Sequence, residues 1–200
     1  MLENCCYDFF ELLTLNMARN GLFGELIHAE GAYLHDLSRE YLFNKNGYQD
    51  MWRLKQNYLH NGNLYPTHGL GPIAQCMNIN RGDKMDYMTS MSSIDFTLGD
   101  IAKEMAARDD FFKEFVGKPY RGNMSTTCIR TNKGKTLMLQ HDVSTIRPYS
   151  RIHLVSGTKG IAQKYPEPER IAFGHEWIKK EELDALYEKY TPPIVKHIGD

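Results

Sequence analysis

The sequence predicts an α+β fold: a mostly antiparallel, open-faced sheet with helices on one face. Two observations carry this. The second half holds four alternating or β-rich runs, DYMTSMSSIDF (86–96), NMSTTCIRTN (123–132), TLMLQHDVST (136–145) and SRIHLVSGTKG (150–160), which have the period of strands. The turn Asn132-Lys133-Gly134-Lys135 between the second and third is a hairpin signal. No internal repeat is visible.

The elements follow in order. Residues 4–20 place apolar side chains at 6, 9, 10, 13 and 17, helical spacing with Asn4 as cap and Gly21 as stop. LIHAEGAYLH (26–35) is a strand with Gly31 inside it. From Ser38 to Leu64 the text is polar and aromatic, and reads as a long functional loop with little regular structure. A short helix over 69–79 stops before Gly82, and a connecting helix covers 100–117. IAQKYP (161–166) is a further short strand, and EWIKKEELDALYEKY (176–190) an amphipathic helix whose Lys/Glu mix faces solvent. The Met-rich DKMDYMTSMSS (83–93) suits core or subunit-interface packing. Arg151 and His153 alternate with Ile152 and Leu154, which puts them on a solvent or interface face.

Two hundred residues make one ordinary domain, and 42% hydrophobic with 24% charged residues is a globular composition. A net charge of −1 lacks the basic excess that nucleic-acid binding needs. Twelve tyrosines suit sugar rings and ordinary cores alike. Cys5, Cys6, Cys76 and Cys128 form neither a disulfide framework nor a CxxC pair, and read as buried thiols. No apolar run of about 18 residues exists to span a membrane. The opening MLENCCYDFF is no signal peptide, so an export signal would lie outside this chain, and periplasmic and cytoplasmic locations both stay open. There is no GxGxxG and no P-loop. His28, His35, His141, His153, His175 and His197 lie apart without HxH or HExxH spacing, so no metal site is expected.

The fragment YPTHGLGP (65–72) carries the most pointed chemistry. With Thr67 as cap, His68 falls in the first turn of a helix, where free N–H groups and the macrodipole disfavour positive charge. A neutral imidazole there accepts a proton from an alcohol or donates to a carbonyl. Gly69 and Gly71 clear the approach, and Pro66 stiffens it. The bland alternative is a surface turn into a helix. Arg53 beside Trp52 is either solvated or a planar clamp on a polar ligand. Tyr33 and Tyr149 each read as packed tyrosines or as ligand contacts. Glu25, Glu30, Asp36 and Asp50 offer acid groups in no recognisable pair.

Taken together, ENCCYDFFELLTLNMARNGLFGELIHAEGAYLHDL, MWRL, GNLYPTHGLGPIAQCMNINRGD and STIRPYSRIHLVSGTKG resemble glycoside hydrolase family 109. Those are the bacterial NAD-dependent α-N-acetylgalactosaminidases within the Gfo/Idh/MocA oxidoreductase superfamily. The resemblance runs through nearly the whole chain but reaches only the family's second, sheet domain. It implies that residues 1–200 are one substrate-binding and oligomerisation domain cut at both ends. The NAD-binding Rossmann domain would then lie upstream. It implies Asn4 and the stretch Tyr65, Pro66, Thr67 and His68 as cofactor contacts, and Tyr33, Arg53, Tyr65 and Tyr149 as the sugar site. The implied chemistry is oxidation of the sugar at C3 by NAD, elimination across C1–C2, addition of water and re-reduction. His68 would be the base at the C3 hydroxyl, and Tyr149 the donor to an enolate oxygen or the group that handles the C2 proton. The implied partners are a glycan ending in N-acetylgalactosamine and a second subunit on the open sheet face. The alternatives are a sugar oxidoreductase of the same superfamily with net NAD turnover, and a non-catalytic sugar-binding or dimerisation domain.

Overall fold

A computed structural model of the chain describes residues 3–198. A seven-stranded sheet organises it: β1 (Leu26–Leu34), β2 (Met85–Ser92), β3 (Ser125–Thr131), β4 (Thr136–Asp142), β5 (His153–Gly157), β6 (Ile161–Lys164) and β7 (Arg170–Ala172). Their spatial order is β2-β3-β4-β1-β5-β6-β7. Every pairing is antiparallel except β1 with β4. The hairpin read at 132–135 joins β3 to β4, with Gly134 at φ 83°, a left-handed value open to glycine.

Helices α1 (Phe9–Arg19), α2 (Trp52–Leu59), α3 (Thr67–Cys76), α4 (Leu98–Arg108), α5 (Lys180–Tyr190) and α6 (Pro193–Ile198) complete the order. Phe10, Leu13 and Met17 of α1 and Ile73 of α3 pack on Ala29, Leu137, Leu139 and Val155 of the sheet. Each such side chain contributes about 1.5–3 kcal/mol by leaving water. The opposite sheet face stays open, with Glu30, Cys128 and Arg130 on it between buried neighbours. Among the described residues no helix is long and apolar enough to cross a membrane.

Several expectations need correction. The stretch 38–64 is structured: a π-helical turn Ser38–Leu42, a 3-10 turn Gln49–Met51 and α2 lie within it. Its Leu42, Phe43, Met51 and Leu54 join Tyr33, Leu98, Ile101, Phe112 and Phe115 in a second core, and spacing this irregular shows no period. The element read as 100–117 breaks at Asp109, whose carboxylate accepts from the Phe111 N–H and starts a 3-10 turn at Asp110–Phe115. Glu3, rather than Asn4, caps the first turn, and α1 begins only at Phe9. Thr67 is the first residue of α3, with Pro66 at the N-cap and no side chain capping it. Cys128 is exposed, unlike the other three thiols. Met88 and Met91 are 66% and 78% exposed, so the Met-rich strand is not core. The side chain of His197 lies outside the described residues.

Arg151 and His153 are buried, not solvent-facing. Glu11 and Thr14, one helical turn apart on α1, receive them. Arg151 Nη2 donates to Glu11 Oε1 at 2.8 Å and also to Asp8, and His153 Nε2 meets Thr14 Oγ1 at 2.7 Å.

Helix α3 crosses β1 backbone to backbone. A Cβ on Gly31 would lie 2.2 Å from the Gly69 carbonyl oxygen, and one on Gly69 would lie 2.4 Å from the Ala32 nitrogen. Either change forces the helix off the strand. Gly31→Ala or Gly69→Ala is therefore expected to cost at least about 2 kcal/mol in urea unfolding. Gly174→Ala, which meets nothing within 4 Å, should change it little.

Candidate active site

The Gly31–Gly69 crossing brings the first turn of α3 against the C-terminal end of β1. His68 then stands perpendicular to the Tyr33 ring at 4.9 Å between centroids, and edge-on to Tyr65 at 4.7 Å. Tyr149, which follows Pro148 in the link from β4 to β5, closes the group at 6.3 Å from Tyr33 and 5.0 Å from His35. Arg53 projects from α2 with its guanidinium carbon 5.5, 5.2 and 5.4 Å from the rings of Tyr33, Tyr65 and Tyr48. These are cation–π distances. Its Nη1 donates to the Tyr48 hydroxyl at 2.9 Å, and its Nη2 is buried without a partner among the described residues. A cavity of about 340 Å³ opens here, lined by Trp52, Arg53, Asn57, Tyr65 and His141 among others.

Behind His68 stands Glu3. Its Oε1 accepts from His68 Nδ1 at 2.7 Å and from the Cys5 N–H at 3.1 Å. Burial pushes the Glu3 carboxyl up, but bonds from the Cys5 backbone, Thr67 and His68 outweigh it, and the net shift is downward. An ionised Glu3 only accepts, so a neutral His68 ring carries its hydrogen on Nδ1 and its lone pair on Nε2. This Glu3 carboxylate faces a helix start whose macrodipole alone disfavours a charged ring. Gly71 makes room for it, since a Cβ there would lie 2.8 Å from Glu3 Cγ.

The surrounding groups are held neutral. Burial pushes the Tyr33 and Tyr149 phenols above their ordinary range. Burial, with help from Arg53, lowers His35. Spacing along the chain offered no metal cluster, yet folding brings one donor atom each of Glu3, Cys5 and His68 within 4.8 Å of one another. The short Glu3–His68 bond accounts for that approach, and burial pushes the Cys5 thiol up to about 11.

Tyr33, Arg53, Tyr65, His68 and Tyr149 thus come together. Pro66 and Thr67 join them as the start of α3, and Asn4 sits exposed next to Glu3. The acid candidates do not join: Asp36 accepts from the Ser38 N–H, Glu25 pairs with Lys135, Glu30 with His28 and Asp50 with Lys55. Sequence reasoning passed over Glu3, Tyr48 and the site roles of His35 and His141. No periodicity links residue 3 to residue 68.

The chain thus presents an open sheet with helices on one face and, at one end of it, an imidazole, tyrosines and an arginine. Solved structures agree on the fold. Levoglucosan dehydrogenase in complex with NADH superposes with a TM-score of 0.59 at 14% identity, over 88% of this chain and 46% of that one. An inositol dehydrogenase homolog from Azotobacter vinelandii, complexed with NAD+, gives 0.53 at 12% identity over 94% and 50%. The family description "Glycosyl hydrolase 109, C-terminal domain" matches residues 7–200, and the chain belongs to that family. It is 47% identical to an alpha-N-acetylgalactosaminidase of Bacteroides fragilis, over 100% of this chain and 47% of that protein. It is 45% identical to one of Shewanella oneidensis, over 100% and 44%. The chain thus spans about half the length of the curated relatives it matches.

His141, under the Tyr33 ring, and His153 are both pushed down to about 3, by burial first and then by the neighbouring cations Arg121 and Arg53, or Arg151 and Lys164. Unfolding returns each to about 6.5, so below that pH the unfolded chain binds more protons. Their contribution to stability is full above about pH 6.5 and falls away toward pH 3, by up to about 1.4 kcal/mol per pH unit for each ring. Glu11, whose carboxyl burial raises, works in the opposite sense. Urea unfolding at stepped pH should show the loss, and replacing both histidines by glutamine should flatten it.

Proposed function

We propose that this chain is the sugar-binding, proton-moving half of an NAD-dependent glycosidase that releases terminal α-linked N-acetylgalactosamine. The Glu3–His68 pair, set in ring contact with Tyr33 and Tyr65, is the observation that carries the reading. Most glycosidases place two carboxylates about the scissile bond, and NAD-dependent families are recognised exceptions. Here the groups facing the site are imidazole, phenols and a guanidinium, while Glu3 is turned to His68 Nδ1.

NAD, when bound, supplies a temporary oxidant at sugar C3, which makes the C2–H acidic enough for the C1 substituent to leave. His68 Nε2 accepts the proton of the C3 hydroxyl. The Tyr149 hydroxyl, kept protonated by burial, donates to the oxygen that gains negative charge, and this favours it as donor over base at C2. Arg53 turns its free Nη2 to a polar substituent of the sugar, while Tyr33 and Tyr65 wall the ring. The exposed amide of Asn4 and the Tyr65–His68 turn fit the cofactor's edge. Tyr7 and Phe9 beside them are 57% and 63% exposed, apolar area suited to a covering cofactor domain outside this chain. The open sheet face at β2, where Tyr87 and Met91 lie exposed, is the surface we assign to a second copy.

The test follows p-nitrophenyl α-N-acetylgalactosaminide in D₂O, with NAD⁺, on the full-length protein and on residues 1–200. Nitrophenol release with deuterium at sugar C2 is expected from the former and silence from the latter. Accumulating NADH without release would instead support a sugar oxidoreductase, the reading that the dehydrogenase neighbours favour. His68→Ala should lower turnover by at least about 10²-fold and leave NAD affinity largely intact. Near-normal turnover would remove His68 from the mechanism.

A further inference from the structure

The Glu3–His68 bond accounts for two of the three metal-binding atoms that folding gathers, and the third is the Cys5 sulfur. Glu3 caps the 3-10 turn Asn4–Tyr7 by accepting from the Cys5 N–H at 3.1 Å. The turn sets the Cys5 side chain beside that carboxylate, so that one donor atom each of Glu3, Cys5 and His68 lies within 4.8 Å of the others. Asn4 Oδ1 adjoins them and accepts from the Cys5 S–H at 3.9 Å.

Thiolate, imidazole and carboxylate are the ligands zinc takes, at about 2.3, 2.0–2.1 and 2.0–2.2 Å. Around a tetrahedral ion such donors stand roughly 3.3–3.8 Å apart. Reaching that spacing from 2.7 Å between Glu3 and His68, and from at most 4.8 Å elsewhere, takes shifts of roughly 1 Å. The Tyr33 and Tyr65 rings fix the imidazole, so the Glu3 and Cys5 side chains supply the movement. A sulfur and a nitrogen donor select against magnesium and calcium, which take oxygen. Cys5 is 2% exposed, while the Glu3 and His68 side chains keep 13% and 16%, so an ion enters from the carboxylate and imidazole side. Burial holds the proton on Cys5, and a coordinated metal displaces it. Arg151, the cation beside Cys5, is already paired with Asp8 and Glu11.

We propose that Glu3, Cys5 and His68 form an inhibitory site for Zn²⁺ or another thiophilic divalent cation, with Asn4 Oδ1 or water in the fourth position. Bonds form from the ion to Cys5 Sγ, to His68 Nδ1 and to one Glu3 oxygen. The Cys5 proton leaves to solvent, the ring hydrogen passes from Nδ1 to Nε2, and no electron is transferred. His68 Nε2 then has no lone pair for a sugar hydroxyl. The loss of turnover rests on the glycosidase reading, whereas binding of the ion does not.

The test uses the full-length protein, first stripped of metal. Zn²⁺ affinity is measured by competition with a chromogenic chelator, and Co²⁺ binding by its thiolate-to-metal absorption band. The wild type is expected to show the band and to lose turnover as Zn²⁺ binds, with EDTA restoring it. Cys5→Ala should keep turnover within about twofold, lose the band and bind Zn²⁺ at least about tenfold more weakly, the least expected for loss of even an outer-shell partner. Cys5→Ser covers an alanine variant that fails to fold. Cys128→Ala, at an exposed thiol on the sheet, should change none of these. A wild type without the band, or a Cys5 variant that keeps it, would overturn the site. An ion that depends on Cys5 but leaves turnover intact would overturn the inhibition. A full-length protein that cleaves no glycoside would sink the glycosidase reading, while affinity and band still decide the site.

Discussion

Everything at the candidate site depends on one close approach, that of α3 to β1 at Gly31 and Gly69. Without side chains there, the helix start drops onto the strand until its backbone touches. His68, one residue before Gly69, then comes within ring contact of Tyr33, two residues beyond Gly31. A methyl group at either glycine would move His68 from Tyr33 and from Glu3 together. Gly71 extends the same logic by one helical step, because the Glu3 side chain occupies the place of its Cβ. Three small residues thus set the position of one imidazole.

The electrostatics are arranged around that imidazole. The carboxylate on Nδ1 and the aromatic edges around it leave Nε2 as the free acceptor. The guanidinium of Arg53 lies over three tyrosine rings, where a cation gains from the ring faces what it loses in hydration. Burial, with Arg121 and this same positive charge, keeps His141 neutral beneath the site. The buried Arg151–Glu11 pair does different work: it ties the link before β5 to α1 and so holds the segment that carries Tyr149 against the helix.

Much of the fold was legible because β3, β4 and β5 have clear alternation and the 132–135 turn has unambiguous chemistry. Residues 38–64 were not, since their buried Leu42, Phe43, Met51 and Leu54 serve a core closed by α4 and the turn at Asp110–Phe115, which no local window contains. Arg151 and His153 misled for a related reason. Alternation shows which residues share a face, and only the acid and hydroxyl on α1 decide that the polar ones point inward. At the site, His68 and its tyrosines were legible through YPTH and its neighbours, whereas Glu3 was hidden, because a carboxylate sixty-five positions away leaves no trace in spacing.

The central claim is that Glu3 presents His68 with its hydrogen on Nδ1 and its lone pair on Nε2. Long-range ¹H–¹⁵N NMR on selectively labelled histidine, in mildly alkaline buffer, reads this directly. The account predicts a single neutral tautomer protonated at Nδ1, which mixes with the other form in Glu3→Ala. A wild-type ring protonated at Nε2, or a tautomer indifferent to Glu3, would contradict it.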